Sequence, residues 1–196
     1  MALFKKVTSE RFAALKCELS SKDTAYSCCF FIGCIMENLR LYEVDSNYVN
    51  FLAPHIEHIF QNRKPEQRFK RKYIGVVLKV NGFNYFAPLS SYKPKHERMK
   101  ESLDFLKIKD YAVINLNNMF SVPDGVYYYV EINKETDPQY RALLLAEYRF
   151  MKSRQDKIRK NAELVYNHKV KNGMSTPLAK RCNDFLLLEN LCASYL

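Results

Sequence analysis

Hydrophobic positions recur with a short period in the middle of the chain, which is the pattern of half-buried strands. Residues 39–44 alternate between apolar and polar side chains, and residues 73–80 and 83–89 are rich in branched and aromatic ones. Asn81 and Gly82 separate the last two segments, and this dipeptide predicts a tight hairpin because both turn positions require a positive φ. Further strands are predicted in two segments, residues 111–116 and 126–132.

Helical periodicity flanks this strand-rich region. Asp45 or Ser46 can cap a short helix that carries Tyr48. In the last third of the chain, one long helix is predicted over residues 138–172, followed by a strongly apolar helix over residues 183–195. Strands that precede a group of C-terminal helices predict an α+β fold with an antiparallel β-sheet.

The first 35 residues differ from the remainder in pattern. Residues 9–19 could form a short amphipathic helix, which a polar stretch and a cysteine-rich run then follow. No Pro-, Gly- or Ser-rich linker is long enough to divide the remaining chain into two domains. We therefore expect residues 36–196 to form one domain. Residues 1–35 would be an N-terminal extension, disordered or arising from a start codon assigned too early.

The charge balance favours a polyanionic partner. The chain carries 31 Lys and Arg against 21 Asp and Glu, a net charge of +10, together with 14 Tyr and 13 Phe that could stack on bases. Residues 139–181 alone hold 11 Lys and Arg against three acids, which is typical of a surface that follows RNA phosphates. No apolar run approaches the roughly 20 residues that span a bilayer, so we expect no membrane association.

The six cysteines and four histidines show neither a disulfide framework nor the paired spacing of a zinc site. No glycine-rich nucleotide loop is present either. We therefore expect a cytoplasmic protein that has no cofactor and no metal.

Basic and hydroxyl side chains lie at both ends of the predicted hairpin. They are Lys70, Arg71 and Lys72 at its entry, and Ser90, Ser91, Lys93 and His96 at its exit. Because the two ends of a hairpin are adjacent in space, these groups are predicted to converge in a cationic pocket. Such a pocket can bind a phosphodiester and stabilise negative charge on it. On composition alone, a solvent-exposed polar turn is the competing interpretation.

Short motifs follow one another in a distinctive order along the chain. They are Leu41-Tyr42, Tyr48, Tyr73-Ile74-Gly75-Val76-Val77-Leu78, Tyr85-x-Ala87-Pro88-Leu89-Ser90-Ser91-x-Lys93, Ile114-Asn115-Leu116-x-x-Met119, and Tyr140 with a helix through Asp156-Lys157-Ile158. Over about residues 36–190, this combination resembles the ToxN/AbiQ family, the protein toxins of type III toxin–antitoxin systems. The resemblance implies a compact, strongly twisted antiparallel sheet flanked by helices. It also implies a metal-independent endoribonuclease that a structured, tandem-repeat antitoxin RNA inhibits, in a higher-order toxin–RNA assembly, and a role in aborting phage infection.

For an enzyme of this kind, a ribose 2′-hydroxyl of the substrate mRNA would attack the adjacent phosphate and leave a 2′,3′-cyclic phosphate and a 5′-hydroxyl. Lys93 and Arg71 are expected to stabilise the developing charge, and Ser90 and Ser91 to hold or activate the 2′-oxygen. The identity of the general base stays open. Further RNA contacts are expected from Tyr48, Lys70, Lys72, His96, Arg154 and Lys157. A non-catalytic RNA-binding module that uses the same surface is the alternative.

Overall fold

The computed structural model describes residues 38–56, 59 and 71–195. In these ranges the strands are β1 (Arg40–Val44), β2 (Tyr73–Val80), β3 (Phe83–Ser91), β4 (Phe105–Ile108), β5 (Ala112–Asn115), β6 (Phe120–Val122) and β7 (Tyr127–Tyr129). The α-helices are α1 (Ser46–Leu52), α2 (Pro94–Arg98), α3 (Pro138–Ser153), α4 (Gln155–Asn172), α5 (Pro177–Arg181) and α6 (Phe185–Ser194). The expectations for residues 1–35, and the connector over residues 61–70, lie outside the described residues.

The seven strands pair antiparallel in one open sheet of order β4-β5-β3-β2-β1-β7, and β6 pairs with β3. Four of the six helices follow the last strand, so the predicted α+β class with C-terminal helices is confirmed. Helix α6 packs against β6, and α4 packs against β2. None of the helices in the described ranges is long and apolar enough to cross a bilayer.

The β2–β3 hairpin is the centre of this sheet and confirms the Asn81-Gly82 prediction. Asn81 and Gly82 have φ angles of 51° and 84°, the left-handed conformation that a tight hairpin turn requires. The pairing is irregular between Ile74 and Leu78, where Gly75 lies against the Phe86 ring and has no room for a Cβ atom. The open end of the hairpin carries Lys72, just before β2, and Ser91, the last residue of β3, and α2 begins three residues later at Pro94.

The short helix α1 begins as the sequence predicts. The Asp45 carboxylate accepts a hydrogen bond from the Asn47 N–H at 2.7 Å, and the helix ends at Leu52, before Pro54. The cap satisfies a backbone donor that would otherwise have no partner in the first turn.

The prediction of one continuous helix over residues 138–172 is wrong, because the chain leaves helical geometry at Arg154. That residue has φ −118° and ψ 13°, and it separates α3 from α4. Its guanidinium donates to the carbonyl oxygen of Lys107 at 3.2 Å as well as to the Glu101 carboxylate. The helix therefore breaks where residues from another part of the chain contact Arg154. The apolar stripe in the sequence gives no indication of these contacts.

Candidate functional site

The two ends of the β2–β3 hairpin meet as the sequence predicts. The Leu89 N–H donates to the Lys72 carbonyl oxygen at 3.1 Å, which sets Arg71 beside the end of β3. The Arg71 Nη1 atom then lies 3.4 Å from the Ser90 Oγ atom, to which it donates. Desolvation lowers the pKa of the half-buried Arg71 guanidinium, although an arginine remains charged at neutral pH.

A cleft of about 730 Å³ opens beside this junction. One wall consists of the hairpin ends and α2, and it brings together Arg71, Lys72, Ser90, Ser91, Lys93 and His96. Helix α3 supplies the facing wall, with Tyr140, Leu143 and Glu147 at helical spacing on one face. Lys95 also lines the cleft, which thus joins an arginine, three lysines and two serine residues to the Tyr140 ring and the Glu147 carboxyl group.

His96 organises the loop that presents Lys93. The ring Nδ1 atom of His96 accepts a hydrogen bond from the Lys93 backbone N–H at 3.1 Å, and the His96 backbone N–H donates to the Lys93 carbonyl oxygen at 2.8 Å. The ring is 6% exposed and packs against Tyr92 and Phe105. Burial, followed by the nearby lysines, lowers its pKa, so the neutral imidazole that accepts from Lys93 is favoured. His96 is therefore a residue that fixes the loop, and its faces are not available to stack on a base.

Lys72 lies at the cleft but is engaged on two sides. Its Nζ atom donates to the Glu43 carboxylate, and it also lies 5.9 Å from the centre of the Tyr140 ring. The side chain is 9% exposed. Lys72 therefore joins the start of β2 to β1 and α3, whereas the Lys93 side chain is exposed to solvent.

Tyr48, for which the sequence predicted an RNA contact, is buried in the structure. Its side chain has no exposed surface, and its hydroxyl donates to the Ser121 carbonyl oxygen at 2.8 Å. The ring packs edge-on against Tyr195. The sequence pattern allows a tyrosine at this helical position to be either buried or exposed, and the fold buries it in the core.

Arg154 and Lys157 do not line the cleft. Both donate to the Glu101 carboxylate, Arg154 through two bonds of 2.8 and 2.7 Å and Lys157 through one of 3.0 Å. These bonds, those from Arg154 first, lower the pKa of Glu101 to about 2. The predicted basic stripe is thus partly neutralised at the α3–α4 junction. Lys70, the remaining predicted contact, lies outside the described residues.

Sequence reasoning missed Glu147 as a cleft residue. Its side chain is 5% exposed and has no hydrogen-bond or ion-pair partner among residues 38–56, 59 and 71–195. Desolvation raises its pKa to about 7. The signal was present in the sequence, because Glu147 lies at helical spacing between the buried Leu144 and Met151, a position where an acid is unusual.

Within the part of the chain that the structure describes, no three His, Cys, Asp or Glu side chains cluster as a metal site would require. Metal independence stays a prediction, for which activity in a chelator is the test.

Comparison with known proteins links this chain to a family. The sequence model of the ToxN toxin, described as a type III toxin–antitoxin system toxin, matches residues 40–193. The endoribonuclease ToxN of Bacillus thuringiensis subsp. kurstaki is 29% identical over 167 residues, which are 81% of this chain and 85% of that protein. The endoribonuclease AbiQ of Lactococcus lactis subsp. lactis is 27% identical over 181 residues, covering 85% and 94%.

Solved structures agree with the sequence matches. A bacterial type III toxin that a non-coding RNA pseudoknot inhibits superposes with a TM-score of 0.68 at 27% identity, over 81% of this chain and 98% of that one. The lactococcal anti-phage endoribonuclease AbiQ superposes with a TM-score of 0.71 at 26% identity, over the same shares. The family match covers more than three quarters of the chain, and the fold agrees with it. The chain therefore belongs to the ToxN family of type III toxin–antitoxin toxins.

Proposed function

We propose that the chain is an endoribonuclease toxin and that the cleft between the hairpin ends, α2 and α3 is its active site. Family membership supports RNA cleavage, because both relatives described above are named endoribonucleases. The observation that carries the location is the convergence of Arg71, Ser90, Ser91 and Lys93 on one wall. Two cations and two hydroxyls in such a cleft suit a phosphodiester undergoing attack.

The proposed reaction is internal to the RNA. The 2′-hydroxyl loses its proton and attacks the adjacent phosphorus, and the bond from phosphorus to the 5′-oxygen breaks as that oxygen takes up a proton. The products are a 2′,3′-cyclic phosphate and a 5′-hydroxyl. Because nucleophile and phosphate belong to one strand, the enzyme contributes alignment, proton transfer and stabilisation of negative charge.

Each side chain has a role consistent with its position. The Arg71 guanidinium, which lies against Ser90, can donate to a phosphate oxygen, and the exposed Lys93 ammonium can approach the same group from the rim. We assign Ser90 and Ser91, which both line the cleft, to holding the 2′-oxygen. His96 acts through Lys93, whose backbone it holds on both sides. It is therefore a positioning residue.

The partners follow from the same family membership. We infer that a structured tandem-repeat antitoxin RNA inhibits this toxin, that mRNA is its substrate, and that toxin and antitoxin form a higher-order assembly. A related toxin is inhibited by a non-coding RNA pseudoknot, and a related endoribonuclease is anti-phage. Acting on mRNA places the enzyme in the cytoplasm and fits a role in aborting phage infection.

A non-catalytic RNA-binding module is the second candidate. The same cations would bind RNA, so salt-dependent affinity does not separate the two functions. They differ in whether new RNA ends appear. The Ser90 hydroxyl beside Arg71, with Ser91 also in the lining of the cleft, favours the enzyme, because phosphate binding alone needs only the cations.

Cleavage assays on the purified protein test the proposal. We expect the wild type to cut cellular RNA in excess EDTA and to leave 5′-hydroxyl and 2′,3′-cyclic phosphate ends. Lys93→Ala should lower the cleavage rate by about 100-fold or more, since a charge-stabilising donor is lost, while the far-ultraviolet spectrum stays unchanged. Lys180→Ala, which removes an exposed lysine on α5, is the matched control and should cut at the wild-type rate.

Two outcomes would overturn the proposal. Wild-type rates for a folded Lys93→Ala variant would place the active site elsewhere. RNA that the wild type binds without producing new ends would leave only the binding module.

A further inference from the structure

The segment from the end of β5 through the short 3₁₀ turn Leu116–Asn118 supplies two amide side chains to the lining of the cleft. They are Asn115 and Asn118, and the proposed cleavage mechanism uses neither of them. An amide is uncharged but carries two N–H donors. It can therefore donate to a phosphate oxygen, which makes both side chains candidate contacts for the RNA backbone.

The sheet register places Asn115 on the same face as Ser90. Ser90 on β3 pairs with Val113 on β5, and directly opposed residues of two strands share a face. Asn115 lies two residues further along β5, so its side chain returns to that face. Asn115 is also opposite Phe105 on β4. All four of these residues line the cleft, which agrees with a common face.

The spacing of Asn115 and Ser90 suits one phosphate group. Residues in this diagonal relation on adjacent antiparallel strands lie about 7–8 Å apart. Because both side chains rise from the same face, a phosphate above them can receive a hydrogen bond of about 3 Å from each side. Arg71 donates to the Ser90 Oγ atom at 3.4 Å, so its guanidinium lies at the Ser90 end of this gap. A phosphate there has the guanidinium on one side and the Asn115 amide on the other.

The backbone that carries Asn115 is held in place, whereas its amide is open to a ligand. The N–H of the next residue, Leu116, donates to the Asp104 carbonyl oxygen at 2.8 Å. At the other end of the turn, the Asn118 Oδ1 atom accepts from the Asn117 side chain at 2.8 Å. The Asn115 side chain is half-buried, and none of the described residues gives its amide a hydrogen bond. A donor on a fixed backbone needs little reorganisation when charge develops beside it.

We propose that Asn115 is a further catalytic residue, whose amide N–H donates to a non-bridging oxygen of the scissile phosphate across from Arg71. The inference rests on the proposed function, which locates that phosphate at the hairpin wall. As the 2′-oxygen bonds to phosphorus and the bond to the 5′-oxygen breaks, negative charge rises on the non-bridging oxygens. Asn115 stabilises this charge without giving up a proton, and the proton transfers to and from the ribose oxygens are unchanged.

Two substitutions of Asn115 separate a donor from a packing residue. Asn115→Ala should lower the single-turnover cleavage rate by about 100-fold or more, since one preorganised donor is lost. Asn115→Asp keeps the size of the side chain but replaces the donors by negative charge, so it should be slower than Asn115→Ala. A packing role predicts the opposite order, because the aspartate fills the same space. The unchanged size also keeps the test available if the alanine variant unfolds.

Asn133 provides the matched control. It lies in another short 3₁₀ turn, Ile132–Lys134, and is exposed outside the cleft lining. Asn133→Ala and Asn133→Asp should both cut at the wild-type rate. Far-ultraviolet spectra of all four variants establish that they are folded.

Sulfur substitution identifies the contact itself. Oligoribonucleotides of one cleavage site are made with sulfur in place of each non-bridging oxygen of the scissile phosphate in turn. Sulfur accepts hydrogen bonds weakly, so at the oxygen that Asn115 contacts it should slow the wild type more than Asn115→Ala, by roughly 5- to 100-fold. At the other oxygen, sulfur should slow both proteins by the same factor. A residue that only supports the fold does not distinguish the two oxygens.

Three results would overturn the inference. They are a folded Asn115→Ala variant that cuts within about threefold of the wild type, an Asn115→Asp variant that is faster than Asn115→Ala, and sulfur effects that Asn115→Ala changes equally at both oxygens or at neither. Each of them leaves the proposed function intact, because the wild type still cuts RNA. Absence of cleavage by the wild type would instead overturn the proposed function.

Discussion

Two groups of basic side chains in this molecule look alike in sequence and differ in structure. At the α3–α4 junction, Arg154 and Lys157 share the carboxylate of Glu101, at distances of 2.7 to 3.0 Å. At the cleft, Lys93 is exposed and makes no ion pair with a described residue. Positive charge is therefore available to RNA where the tertiary structure leaves it without an acidic partner, and a count of lysines and arginines does not reveal this.

The ion pairs of the junction group connect separate segments of the chain. Glu101 also accepts a hydrogen bond from the Lys107 N–H at 3.0 Å, so the segment between α2 and β4 is tied to the place where α3 ends. Met99, in the same segment, lines the cleft. The junction thus ties the segment that carries Met99 to the end of α3, whereas the exposed Lys93 at the cleft makes no ion pair with a described residue.

The largest expected contrast between the two groups is in catalysis. Arg71→Ala should lower the rate of RNA cleavage by about 100- to 1,000-fold, because a preorganised donor to the phosphate is lost. Arg154→Ala should change that rate by less than about threefold. Single-turnover cleavage of one oligoribonucleotide measures both. Arg71→Lys, which keeps the charge but not the planar fork, should fall between Arg71→Ala and the wild type. Equal losses of cleavage rate in Arg71→Ala and Arg154→Ala would mean that the cleft and the junction contribute equally to catalysis.

A second contrast concerns the two acids, whose pKa values shift in opposite directions. The folded-state pKa of Glu147 is raised from 4.5 to about 7, so its contribution to stability is complete below pH 4.5 and is lost as the pH rises through 7. The pKa of Glu101 is lowered to about 2, so its contribution is present above pH 4.5 and is lost as the pH falls through 2.

Urea unfolding of Glu147→Gln at pH 5 and pH 8 tests the first of these shifts. The stability of the variant relative to the wild type should increase by about 2 kcal/mol between the two pH values, since the buried carboxylate exists in the wild type alone. Glu163→Gln provides the baseline and should show no such trend. A difference between Glu147→Gln and wild type that is independent of pH would mean that Glu147 ionises normally.

A smaller effect is expected when the junction loses its shared acid. Glu101→Gln should reduce the free energy of unfolding at pH 7 by about 1 kcal/mol, because the charge-assisted bonds to Arg154 and Lys157 are weakened at a partly exposed site. Its cleavage rate should stay within about threefold of the wild type. The matched control is Glu131→Gln, which removes an exposed pair with Lys134 and should have little effect on unfolding. A large loss of cleavage without a loss of stability would give the junction a direct role in the reaction.

The smallest expected effect is on the salt dependence of binding. Lys95→Ala, at the cleft, should reduce the slope of log Kd against log salt concentration by about 0.7 for a single-stranded RNA with 2′-deoxyribose at the cut. Lys157→Ala should leave the slope unchanged, since its ammonium is already paired with Glu101. Equal slopes in the two variants would show that the junction binds RNA phosphates as well.

Local signals were sufficient for the elements that depend on neighbouring residues. The Asn81-Gly82 turn, the Asp45 cap and the helix that begins at Pro138 are all where the sequence predicts them. The same hairpin turn explains why Arg71 and Ser90 could be predicted to meet, because hairpin ends are adjacent whatever surrounds them. Strands β4 and β6, of four and three residues, were not predicted, although β5 and β7 have the same lengths and were.

Features that depend on distant parts of the chain were decided by the tertiary structure. The sequence by itself determined the hairpin, the α+β order, the excess of positive charge and the residues at the hairpin exit. The packing of α1 against β6 and α6 buried Tyr48, and the approach of the α2–β4 segment paired Arg154 with Glu101, 53 residues away. The same packing buried the side chain of Glu147, for which the described residues supply no hydrogen bond or ion pair. Burial and ion pairing are properties of contacts between remote segments, whereas periodicity and turn chemistry report only on neighbours.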